Sequence, residues 1–194
     1  MSTKKAVTAL AMVTMIGLIV ACARSTESPP TATDVVAAHA THAIVPNGEL
    51  TAEQKRAIAD VRNATVKFHD FAYATSANGG GYTVQYPAGC AASPTGAQGV
   101  HYLNPSLVDN KVELLRPELV MYEPGPNGQM NLVGVDYVVP LDQATTAPSL
   151  IGVNLSALGP PLNVWAVHIW AWRPNPSGMF AQWNPKVSCA DYTP

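Results

Sequence analysis

The chain has 194 residues, with 11 basic and 13 acidic side chains and a formal net charge of −2. Charged residues are only 12% of it and no Lys/Arg-rich patch occurs, which argues against nucleic-acid binding. Seventeen prolines and many short apolar runs argue against disorder and for a β-rich domain with rigid loops.

Lys4 and Lys5 precede an uncharged stretch, Ala6 to Val20, rich in Ala, Val, Met, Ile and Leu. At about 15 residues it falls short of the roughly 20 that a membrane-spanning helix needs. It ends in Ile19-Val20-Ala21-Cys22, which resembles the lipobox of bacterial lipoproteins. That resemblance implies cleavage before Cys22, a diacylglyceryl thioether on its sulfur and an acylated new amino terminus. Several palmitate-type chains hold a protein on a bilayer far better than one. The expected protein is exported and membrane-anchored, facing the periplasm or the cell exterior. A plain signal peptide with a chance cysteine is the alternative. Losing the two lysines leaves 9 basic against 13 acidic residues, a charge of −4.

Residues 22 to 48 read as a flexible tether. Ser25 to Thr33 is rich in Ser, Thr and Pro and cannot bury enough apolar surface to offset its ordering entropy. His39 and His42 lie in this stretch and are expected to be solvated. Residues 49 to 194 then form a single domain large enough for a real core.

Of the three cysteines, Cys22 is assigned to lipid. Cys90 and Cys189 remain, and an exported protein meets an oxidising space, so a disulfide is predicted. It would close a loop of about 100 residues, worth roughly 4 to 5 kcal/mol by chain entropy. The alternative is a thiol pair binding copper or zinc, although no CxxC spacing supports it.

Thr51-Ala-Glu-Gln54 reads as a capping box. Ile58, Val61, Thr65, Phe68 and Ala72 follow at helical spacing, predicting one long amphipathic helix that runs to Gly79-Gly80-Gly81. Strands are predicted at 82–86, 99–103, 118–123, 131–139 and 164–173, where β-branched and aromatic residues lie between Gly/Pro/Asn clusters. The Pro-Gly-Pro-Asn-Gly run from Pro124 to Gly128 predicts an antiparallel hairpin. Residues 142–159 lack clear periodicity and read as a long loop. The fold class is α+β: one long N-terminal helix on a mostly antiparallel sheet curled toward a barrel.

Alternation along 164–173 puts Ala166, His168, Trp170 and Trp172 on one face. His101 and Glu123 also lie in otherwise apolar strands. Two imidazoles and a carboxylate on neighbouring strands suggest a transition-metal site at His101, Glu123 and His168, or a small-ligand pocket. Tyr122, Tyr137, Trp170 and Trp172 are candidates to line it, with core packing expected for most of them. Asp136 needs a partner if buried, and Arg116 or Arg173 could supply one. Structural roles for these polar residues are the plain alternative. No catalytic residue is identifiable: there is no Gly-x-Ser-x-Gly elbow, no HExxH and no phosphate loop.

The run His101-Tyr-Leu-Asn-Pro105, Leu115-Arg-Pro-Glu118, Tyr122-Glu-Pro124, Tyr137-Val-Val-Pro140, His168-Ile-Trp-Ala-Trp172, Asn175 to Phe180 and Asn184 to Cys189 resembles a group of uncharacterised exported bacterial proteins. That resemblance implies one exported domain and brings no site with it. Three functional readings stand at this point: a lipid-anchored domain binding a metal or small ligand, a metal-dependent envelope enzyme, and a structural or interaction module of the envelope. Mass spectrometry of the protein from native cells is expected to find residues 1–21 removed and Cys22 acylated. An intact leader with a free Cys22 thiol would overturn the export assignment.

Overall fold

A computed structural model describes residues 49–194; the leader and the tether, with Cys22, His39 and His42, lie outside the described residues. The first helix, α1, spans Ala52–Thr65. Its capping box is formed as expected: Gln54 N–H donates to Thr51 Oγ1, and Thr51 N–H donates to Gln54 Oε1. The expected single long helix is not what forms. The chain passes into a 3₁₀ turn over Val66–His69 and restarts as a short helix, α2, at Phe71–Thr75. Asp70 causes the restart, because its carboxylate caps the new helix by accepting from Tyr73 N–H.

Eight strands follow: β1 (Val84–Ser93), β2 (Gly96–Leu103), β3 (Leu119–Pro124), β4 (Met130–Pro140), β5 (Ser149–Leu150), β6 (Val153–Asn154), β7 (Ser156–Leu158) and β8 (Val164–Ile169). Six of them make one antiparallel sheet in the order β1-β2-β3-β4-β8-β7, and β5 and β6 pair separately. The hairpin expected around Pro124 to Gly128 joins β3 to β4. The expected long loop at 142–159 is corrected. It holds β5, β6 and β7, and β7 pairs with β8 as an edge of the sheet. Strands of two or three residues carry too few side chains to show a period of two.

The sheet has two buried faces. On one, Ile58 and Val61 of α1 pack with Phe68 and Tyr82 against Val120, Tyr122, Val135, Tyr137, Val167 and Ile169. Each such fully buried side chain contributes roughly 1.5–3 kcal/mol. Tyr122 O–H donates to Phe68 O and Trp172 Nε1–H donates to Thr65 Oγ1, which ties the helical layer to the sheet. The other face is the inside of a half-barrel. One apolar cluster there draws on all six strands: Tyr86, Leu103, Leu119, Val138, Leu158 and Ala166, with Leu162 and Val164. A flat sheet could not gather side chains from both of its edges. Tyr86 O–H of the first edge strand donates to Leu162 O beside the last, across the opening.

The second interior cluster, Ala97, Met121, Val133, Trp170 and Val187, fills the other end of the barrel. The carboxyl segment closes that end. Cys189 and Cys90 of β1 have their sulfurs 2.02 Å apart, a disulfide spanning 99 residues.

Two local devices bend the sheet. Opposite Met121 and Tyr122, β4 presents Gly134 and Leu132, so Val133 is an extra residue in a β-bulge. Bulges bend and twist the strand that carries them. Gly134 lets the strands approach closely: a Cβ there would lie 2.6 Å from Ile169 O and 2.7 Å from Met121 Cε. Met121 can give way, but the backbone carbonyl cannot. Gly134→Ala is therefore expected to lower stability by about 1–3 kcal/mol, read by urea denaturation. An unchanged midpoint would show that the bend does not depend on this contact.

Candidate functional site

The interior of the half-barrel is layered. Between the two apolar clusters lies a polar layer made of His101 on β2, Asp136 on β4 and His168 on β8. Asp136 and His168 are directly opposed across the β4–β8 ladder. His101 faces Met121 of β3, which in turn faces Gly134 of β4. His101 and His168 thus sit on strands three places apart. At about 4.8 Å per strand, a flat sheet would hold their backbones roughly 14 Å apart. Their ring centroids are 5.7 Å apart, because the sheet curls and both side chains point into the concave face.

All three are buried: His101 is 1% exposed, Asp136 4% and His168 0%. His168 Nε2 lies 3.5 Å from Asp136 Oδ2. One donor atom from each of the three falls within 4.8 Å of the others. Asp136 Oδ1 is buried with no hydrogen-bond partner among the described residues. An oxygen in that position carries a desolvation cost of about 1–3 kcal/mol unless a cation or proton meets it. Burial pushes the His101 imidazole down to about 4, against the pull of the Asp136 charge and with a further push from His168. Its neutral form, the one that ligates metals, therefore dominates above that pH.

Of the sequence-derived candidates, His101 and His168 meet, and Glu123 does not join them. It lies on the same face of β3 as Met121 but beyond the bulge. Its carboxylate pairs with Arg173, and its Oε1 accepts from Ser188 N–H at 3.0 Å. Asp136 takes the place expected for Glu123. The partners proposed for Asp136 are corrected too: Arg116 pairs with Glu113 and Arg173 with Glu123, leaving His168 as the neighbour of Asp136. Trp170 does border the site, its ring centroid 6.2 Å from that of His168. Tyr137 does not, because alternation along β4 sends it to the helical face, where its O–H donates to Leu114 O. Tyr122 shares that face with it. Trp172 falls past the end of β8 and packs its indole on His69, with centroids 4.4 Å apart.

Among the described residues, surface cavities of about 400, 550 and 370 Å³ lie elsewhere. The first is lined by His69, Asn131, Trp172 and Arg173 among others, and none of the three touches the polar layer. The burial of its three side chains makes the layer an enclosed site among the described residues. Comparison of the chain with models of protein families, with curated proteins and with solved structures finds no match.

Sequence reasoning missed a third buried carboxyl. Glu118, just before β3, is 2% exposed, and its Oε2 accepts from Val138 N–H at 3.1 Å. Burial pushes it up to about 8, with Asp136 and Asp109 adding to the rise and two backbone hydrogen bonds opposing it. The two shifted groups act on stability in opposite directions. Glu118, raised from 4.5, contributes fully below about pH 4.5 and loses its contribution as pH climbs toward 8. His101, lowered from 6.5, contributes fully above about pH 6.5 and loses its contribution as pH falls toward 4. Between about 4.5 and 6.5 the two slopes cancel, and above that window only the Glu118 slope of the two remains. Metal-free protein is expected to lose a few kcal/mol of stability between about pH 6.5 and 8. Glu118→Gln, which keeps an acceptor for Val138, should remove that loss. Parallel pH profiles for the two proteins would contradict the assignment.

Proposed function

We propose that this is a metal-binding domain of the bacterial cell envelope, holding a transition-metal ion at His101, Asp136 and His168. The observation that carries the reading is the meeting of two imidazoles and a carboxylate inside an apolar barrel, their donor atoms within 4.8 Å. A tetrahedral ion with ligands at about 2.0–2.2 Å holds its donors roughly 3.4 Å apart. The His168–Asp136 separation of 3.5 Å already meets that spacing. Closing His101 onto the pair requires a side-chain shift of about an ångström, within the reach of its χ torsions.

The donor set selects the chemistry. Imidazole nitrogen favours zinc, copper, nickel and iron over magnesium and calcium, which prefer all-oxygen cages. A dication beside Asp136 would offset the cost of a buried carboxylate. The enclosure of the layer favours holding an ion over turning over a substrate, since a catalytic metal needs an open position that substrate can reach. The lipobox-like leader would place the domain on a membrane surface outside the cytoplasm, where metal ions are captured from the surroundings.

The test uses the full chain, stripped with chelator and titrated with Zn(II) or Co(II). Binding of about one ion per chain with a rise of several degrees in Tm is expected. His168→Ala and Asp136→Asn should abolish both, whereas Glu123→Gln should still bind. Absence of stoichiometric binding, or binding that persists in His168→Ala, would refute the reading.

A further inference from the structure

The polar layer is sealed from one end by the chain's own carboxyl segment, and the disulfide is what fastens it. The segment from Met179 to Cys189 lies across the barrel end next to Trp170. Trp170 N–H donates to Met179 O, and its indole Nε1–H donates to Ala181 O. Asn184 exchanges two backbone hydrogen bonds with Ala97 at the start of β2. Beyond it, Val187 plugs the interior against Met121 and Trp170, the layer directly above His168.

Between Asn184 and the chain end, three ties hold the plug to the barrel wall, one of them Tyr192 O–H donating to Gln85 Oε1 of β1 at 3.5 Å. Another is also polar: Glu123, itself paired to Arg173, accepts from Ser188 N–H. The third is covalent: Cys189 is bonded to Cys90 on the edge strand. The opposite end is filled by the barrel's own strands and the β7–β8 loop, so the plug is the part of the enclosure that can leave without breaking the sheet.

We infer that the Cys90–Cys189 disulfide controls access to the His101–Asp136–His168 layer, with Val187 as the plug and Met121 and Trp170 as the floor it covers. The inference rests on the metal-binding reading for its functional meaning, but the gate itself has an independent readout. A dithiol reductant would open it by thiol–disulfide exchange. The Cys90–Cys189 bond breaks, each sulfur gains one electron and one proton, and the reductant closes its own disulfide. With only hydrogen bonds left, from Ser188 to Glu123 and from Tyr192 to Gln85, the last residues are free to open locally at a cost well below global unfolding. An ion held in the layer would then exchange with solvent.

The test compares the full chain with the Cys90→Ser/Cys189→Ser double variant and with Ser188→Pro, which keeps the disulfide but removes the N–H that Glu123 receives. Hydrogen peroxide oxidation of Met121, followed by peptide mass spectrometry, reads the plug without any metal. Met130, partly exposed on β4, serves as the internal reference. The expected result is Met121 oxidation faster by about tenfold or more in the double variant, with a smaller rise in Ser188→Pro. With Zn(II) or Co(II) loaded, transfer of the ion to an external chelator should accelerate by a similar factor. Unchanged Met121 protection in a folded double variant overturns the inference. So does metal that binds normally and leaves at the same rate. If no metal binds but Met121 becomes reactive, the gate stands and the metal-binding reading falls. If the double variant does not fold, the unsubstituted chain with and without dithiothreitol decides: an unchanged Met121 rate after reduction overturns the inference.

Discussion

The curl of the sheet is the constraint from which the rest follows. Polar residues on β2 and β8 would be isolated from each other on a flat sheet, each facing apolar neighbours alone. Bending the sheet over its own face brings His101 and His168 to ring-centroid contact at 5.7 Å and sets Asp136 beside them. The bend is built from local features: an extra residue at Val133, the missing side chain at Gly134, and a bridge from Tyr86 to Leu162 that joins the two sheet edges. None of these is a catalytic or binding feature by itself, yet without them no site exists.

The interior is stratified, and the strata explain the energetics. Apolar clusters on both sides of the polar layer keep water away from it. That exclusion depresses the His101 imidazole and makes the Asp136 carboxylate costly to keep unpaired. An ion placed there gains from the same low dielectric that penalises the bare ligands. The outer face is a conventional helix-on-sheet core, tied by Tyr122, Trp172 and Arg62 hydrogen bonds between the layers.

Much of this was legible in the residues. The capping box at Thr51, the hairpin at Pro124 to Gly128, the α+β class and the pairing of Cys90 with Cys189 all follow from local chemistry or simple counting, and each is found in the structure. His101 and His168 stood out because an ionisable side chain within an apolar strand is unusual. The third member was not legible in the same way. Glu123 and Asp136 are both carboxylates in apolar strands, and alternation within one strand cannot say which lies level with a histidine two strands away. That depends on register and on the bulge at Val133, which are products of pairing between strands. The break between α1 and α2 was missed for a different reason: the apolar spacing continues through Phe68, while the Asp70 cap that restarts the helix is a purely local signal. The short strands β5 to β7 left too little pattern to read.

The central claim is that a bent sheet brings two histidines from distant strands into one enclosed layer. Proton NMR tests this most directly, through cross-relaxation between the assigned imidazole protons of His101 and His168 in the metal-free protein. The account predicts a clear cross-peak between the two rings, and a further one from His168 to the indole of Trp170. Well-resolved imidazole resonances that show contacts only to their own strand neighbours would contradict it.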